Sequence, residues 1–92
     1  MEIREIATAG EKQRIARLVL EALPDWFGIP EAREEYIGKS ASRPFFAAFD
    51  GERAIGFLCL AETGKDTAEL YVMGVLKEYH RHGVGKALFA SA

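Results

Sequence analysis

The sequence predicts an α/β domain whose elements run β-α-α-β-β-β-α, and four stretches carry that reading. An amphipathic run follows Thr8, and a second helical run opens at Pro30. Asp50-Gly51 stands between two apolar runs, a strong hairpin signal. Finally, an apolar strand from Thr67 to Leu76 leads through Gly83-Val84-Gly85 into Lys86-Ala87-Leu88-Phe89, a good helix opening.

Glu2 to Ala7 alternates polar and apolar residues and predicts a short first strand. Thr8-Ala9-Gly10-Glu11 has capping-box spacing, a hydroxyl for one backbone N–H and a Glu reaching back to another. The helix that follows sets Ile15, Leu18, Val19 and Ala22 on one stripe, with Lys12, Arg14, Arg17 and Glu21 largely elsewhere. Pro24 stops it. After the aromatic loop from Asp25 to Ile29, Pro30 suits a first helical turn, and Glu31, Glu34 and Glu35 lie near that helix's positive end. The helix is expected to fade between Gly38 and Ser42.

Arg43 to Asp50 reads as a strand with Pro44 at its start. Arg53 to Glu62 returns as the longest strand, and Ile55, Phe57, Leu58 and Leu60 make both its faces apolar, as in mid-sheet. Thr63 to Asp66 is the next turn, and Thr67 to Leu76 the last strand. Gly74, inside that strand, predicts a bulge.

At 92 residues the chain is one small domain at most, and 49% hydrophobic with 28% charged residues is ordinary globular composition. A net charge of −2 gives no basic face of the kind nucleic-acid binders carry. Cys59 is the only cysteine, so no intrachain disulfide forms and a reducing cytoplasm is expected. Met1 to Ile6 is not a signal peptide, and no apolar run is long enough to span a bilayer.

The chemistry concentrates at the strand–glycine loop–helix junction. The first N–H groups of a helix lack intrahelical partners and sit at the positive end of its dipole, so they attract phosphate. Glycines allow a close approach, and Arg81 and Lys86 add positive charge. The dinucleotide fingerprint fails at Leu88, and no P-loop pattern is present. His80-Arg81-His82-Gly83-Val84-Gly85 resembles the acetyl-CoA pyrophosphate motif [RQ]-x-x-G-x-[GA] of the GCN5-related N-acetyltransferases, the GNAT superfamily, with His80 in place of Gln or Arg. Glu69 to Val75 is similar to that family's cofactor strand.

The resemblance implies a largely antiparallel sheet and acetyl-CoA as cosubstrate, with acetyl transfer to a primary amine. It implies that Arg81, His82, Gly83, Val84, Gly85 and Lys86 hold the pyrophosphate and that Met73, Gly74 and Val75 hold the pantetheine arm. The Val75 backbone N–H would polarise the thioester carbonyl, Glu69 is the candidate general base, and Trp26 and Tyr36 are candidates for the acceptor wall. His80 and His82 have no third ligand near them, so no metal site is expected. Cys59, in an apolar strand, reads as packing.

A complete member of the resembled family continues past this point. It adds a fifth strand that forms the other cleft wall, and a fourth helix that usually carries the general acid. Residues 1–92 are therefore expected to be the N-terminal portion of one acetyltransferase domain, inactive or nearly so alone. The apolar cofactor strand would be an open edge able to pair with another copy. The other readings are a non-catalytic module that binds CoA or another phosphate ligand, and a self-associating fragment.

Overall fold

The computed structural model describes all 92 residues. Strand β1 (Glu2–Glu5) leads to helices α1 (Ala9–Glu21) and α2 (Pro30–Ser40). Three strands follow, β2 (Phe45–Asp50), β3 (Arg53–Gly64) and β4 (Thr67–Val75). A 3₁₀ turn (Lys77–Tyr79) then precedes helix α3 (Val84–Ser91). The strands form one antiparallel sheet in the order β1-β2-β3-β4. Element order and sheet type are those the sequence predicts.

Turn chemistry sets the hairpins. Gly51 takes φ +63° between the paired Asp50 and Arg53, a left-handed conformation that glycine adopts without steric cost. Lys65-Asp66 makes the second turn, between the paired Gly64 and Thr67. Residues 54–59 of β3 are all buried, because β3 is central and helices cover both faces. On one face α1 and α2 lie over Phe45, Phe57 and Cys59, where Phe45 and Phe57 stack at 5.1 Å. On the other, α3 brings Val84 against Gly56. Burial pushes the Cys59 thiol up, so it stays protonated and inert. The radius of gyration is 12.2 Å. A folded chain of this length is expected at about 12 Å, so the core closes although β4 has a neighbour on one side only.

Three local expectations are corrected. Thr8 stands at the N-cap of α1 with extended backbone, but its side chain makes no capping bond. Glu11 is drawn to Arg14 instead, in a pair of 3.0 Å hydrogen bonds, so the capping box does not close. The buried stripe of α1 is Ile15, Ala16, Val19 and Leu20, continued by Leu23 just past its end, while Leu18 is 41% exposed and Ala22 lies in solvent. This helix packs against α2 as well as the sheet, which turns its apolar face toward both.

The bulge is also elsewhere. Leu60 pairs with Leu70 and Cys59 with Val72, so Tyr71 is the extra residue. Gly74 sits in regular register opposite Phe57. Its missing side chain serves packing: a Cβ there would lie 3.0 Å from Val19 Cγ1, 3.4 Å from Leu23 Cδ1 and 3.5 Å from Phe57 Cε1. Gly74→Ala is therefore expected to overpack the α1–sheet contact and lower stability by about 1–3 kcal/mol in equilibrium urea unfolding. An unchanged midpoint would show that α1 can lift without loss.

Candidate cofactor-binding cleft

A cleft of about 500 Å³ opens where three segments meet. Leu23, Trp26 and Phe27, past the end of α1, form one side. Met73, Gly74 and Val75 at the end of β4 form its floor. Tyr79, His80, Arg81, Gly83, Val84 and Gly85 close the far side. Pro24 and the aromatic loop end α1 directly above Gly74, which is why those apolar side chains overhang the strand.

The floor offers backbone groups. Leu76 N–H donates to Ile55 O at 2.8 Å, so Leu76 faces β3. Peptide groups alternate along a strand, so Gly74 also faces β3 and the Met73 and Val75 groups face outward. No strand lies on that side. His80 Nε2 lies 2.7 Å from Val75 O, and since a carbonyl only accepts, the imidazole donates from Nε2. The His80 ring also meets the edge of Trp26 at 5.6 Å.

The far side has the geometry that suits an anion. Arg81 (φ 69°) and Gly83 (φ 75°) are both left-handed, so the chain turns sharply twice before it enters α3. Gly83 is the N-cap of α3, and its carbonyl accepts from Ala87 N–H at 3.0 Å. The N–H groups of Val84, Gly85 and Lys86 precede that bond and have no intrahelical acceptor. They point out of the helix start with its positive dipole end. Arg81 is the one permanent cation among the lining residues.

The structure thus brings together Trp26, Met73, Gly74, Val75, Arg81, Gly83, Val84 and Gly85 from the residues singled out in the sequence. It separates the others. His82 turns its ring to Tyr79 at 6.2 Å, and its N–H is taken by Tyr79 O at 3.3 Å. The Lys86 side chain is exposed outside the cleft, leaving only its N–H at the helix start. Tyr36 lies behind Phe27, in an edge-to-face row with Phe27 at 6.0 Å and Tyr71 at 5.4 Å. Glu69 is exposed beyond the Tyr71 bulge, opposite Ala61, and does not line the cleft.

Sequence reasoning missed Leu23, Phe27 and Tyr79 as lining residues and gave His80 little weight. Leu23 could have been found from its place at the end of the α1 stripe, and His80 from its position directly before the loop.

The two motif glycines differ in what they require. Alanine at Gly83 would be held at φ 75°, a strain of about 1–2 kcal/mol, whereas a Cβ at Gly85 would find Met73 Cε at 3.7 Å, an ordinary contact. Gly83→Ala is expected to lower the urea midpoint measurably while Gly85→Ala leaves it near wild type. Equal losses in the two variants would contradict this account of the loop.

Comparison with solved structures places this architecture. The chain aligns with an aminoglycoside 6′-N-acetyltransferase crystallised with coenzyme A at a TM-score of 0.72 and 20% identity, covering 99% of this chain and 52% of that one. An aminoglycoside 6′-acetyltransferase type Ii aligns at 0.69 and 20% identity, over 99% of this chain and 61% of its own. The PaiA N-acetyltransferase from Thermoplasma acidophilum, in complex with coenzyme A, aligns at 0.68 and 22% identity, over 99% and 69%. At these identities the likeness carries the fold, and the chain spans between about half and about two thirds of those proteins. No curated protein sequence matches the chain significantly. Residues 11–92 match the model of the acetyltransferase (GNAT) family, and the chain belongs to that family.

Proposed function

We propose that this chain is the acetyl-CoA-binding part of an N-acetyltransferase domain whose complete form transfers an acetyl group to a primary amine. Acetyltransferases of this family use acetyl-CoA. One observation carries the assignment to this chain. A single cleft joins outward peptide groups of β4 to the unpaired N–H groups at the start of α3. That combination suits an extended amide-bearing arm with a diphosphate at one end.

When bound, acetyl-CoA supplies the activated acyl group as a thioester. The protein residues do the rest. Val84, Gly85 and Lys86 N–H groups hold the diphosphate, with Arg81 balancing its charge. Met73 and Val75 hold the arm along the strand edge, as an added strand would be held. The outward Val75 N–H, fixed before reaction, donates to the thioester carbonyl where negative charge develops. Trp26, 60% exposed, stands at the cleft mouth where an acceptor would enter, with Tyr36 supporting Phe27 behind it. Glu69, the acidic residue of β4, stands beyond the Tyr71 bulge outside the cleft, so it serves as proton acceptor only through intervening water. A reducing, cytoplasmic setting fits the lone buried Cys59.

Read as the N-terminal portion of an acetyltransferase domain, residues 1–92 are expected to be inactive or nearly so alone. Calorimetry with acetyl-CoA and 3′-dephospho-CoA is expected to give one molecule bound per chain for both ligands. Thiol release over a panel of amines should stay at the buffer rate. A folded sample that binds neither ligand would overturn the reading.

The lack of a lining carboxylate favours one second reading, a module that binds CoA without catalysis. It predicts no thiol release even from a chain extended to supply the second wall.

The same outward edge of β4 suits pairing with a second copy of the chain. Light scattering is expected to show a concentration-dependent dimer that acetyl-CoA dissociates. A monodisperse monomer at all concentrations would remove that part of the proposal.

A further inference from the structure

The segment between β4 and α3 sets the position of the anion cradle. Leu76 is buried and its backbone is tied to Ile55, but in the 3₁₀ turn Lys77–Tyr79 that follows only Tyr79, half-buried, packs against the core. The polar ends of its side chains reach to one place, the tip of the β2–β3 hairpin. Tyr79 O–H donates to Asp50 Oδ2 at 2.6 Å, and Arg53 Nη2 donates to Glu78 Oε2 at 2.9 Å. The Arg53 guanidinium also lies 5.8 Å from the Tyr79 ring.

Asp50 and Arg53 are cross-strand partners flanking Gly51, so both attachments come from one rigid point. From there the geometry passes directly into the cradle. His80 N–H donates to Lys77 O at 3.2 Å and His82 N–H to Tyr79 O at 3.3 Å, closing turns around the left-handed Arg81. A non-glycine residue at φ 69° persists only where its flanks are held.

We propose that the β2–β3 hairpin is a clamp that positions the phosphate loop, with Asp50 and Arg53 as positioning residues outside the cleft. Neither lines it. This rests on reading residues 80–86 as the phosphate loop. The hydrogen bond to Asp50, with partial burial, pushes the Tyr79 phenol up, so it remains a donor throughout the neutral range. Exposed polar pairs add little to global stability, so the clamp acts locally.

The test uses Tyr79→Phe, Asp50→Ala and the double variant, with two readouts. Backbone hydrogen exchange of His80, His82 and Ala87, whose N–H groups are bonded to Lys77 O, Tyr79 O and Gly83 O, reports on loop order in the ligand-free chain. Affinity for acetyl-CoA against S-acetyl-pantetheine, which lacks the diphosphate, reports on function. Each single variant should speed loop exchange by roughly tenfold, the loss of one hydrogen bond's worth of order, and leave amides of Phe57 and Val72 unchanged. Acetyl-CoA affinity should fall several-fold, with S-acetyl-pantetheine unaffected by Asp50→Ala, a residue outside the cleft, and the double variant should be no worse than either single one. Unchanged loop exchange, acceleration spread to the core amides, or additive losses in the double variant would each overturn the clamp. If loop exchange responds but no variant nor the wild type binds acetyl-CoA, the clamp stands and the cofactor reading falls.

Discussion

Helix α1 can cross the sheet where it does because residue 74 has no side chain. Val19 and Leu23 come down onto the backbone of β4 and the ring of Phe57, at distances that leave no room for a methyl group without displacement. That contact sets the height of the helix above the strand and the point at which Leu23 and the loop after it overhang. Trp26 and Phe27 are carried to the mouth of the cleft by this crossing. A bulkier residue at 74 would lift α1, and both the roof of the cleft and the Phe27–Tyr36–Tyr71 row would move with it. One glycine thus links the core packing to the site.

The second constraint lies on the other side of the cleft. An anion cradle needs donors that are not already bonded, yet unbonded donors do nothing to hold their own loop in place. The chain resolves this by anchoring the loop through groups that are not donors to the ligand. Gly83 gives its carbonyl to Ala87, Tyr79 its carbonyl to His82, and Val75 its carbonyl to the His80 imidazole. Acceptors are consumed in building the loop while the N–H groups of Val84 to Lys86 stay free.

What was readable in the sequence follows this division. Elements bounded by turn chemistry were legible, because Asp50-Gly51, Pro30 and Gly83 act through local backbone preferences. The cleft loop was legible for the same reason. The bulge was not. A glycine in a strand is compatible with a bulge or with a close neighbour, and only the crossing of α1 makes Gly74 the second kind, leaving Tyr71 as the extra residue. The rotation of α1 depends on α2, which touches it across a loop whose path the residues do not specify. Thr8 and Glu11 had the spacing of a capping box, but Arg14 one turn on offers the carboxylate a charged partner, and the charge-assisted pair wins. The His82 ring turns to Tyr79 and the Tyr36 ring stands behind Phe27, neither of which the residues announce. Sequence proximity to a site fixes where a backbone lies, not which way its side chain turns.

The open edge of β4 brings the remaining tension into view. Proteins usually protect such an edge with charge, proline, a bulge or a covering element. Here the Tyr71 bulge interrupts the strand midway, separating an outer half that carries Glu69 and a 45% exposed Leu70 from the inner half over which the cleft opens. The inner half cannot be protected in the same way. A proline at Met73 or Val75 would remove an outward donor, and a covering strand would take the groups a ligand needs. His80 offers a reversible cover instead, because its imidazole holds the Val75 carbonyl by a single hydrogen bond that an incoming amide can replace. A site built from strand-edge peptide groups is thus, by its own chemistry, the part of the sheet most exposed to wrong partners, and its protection has to be displaceable.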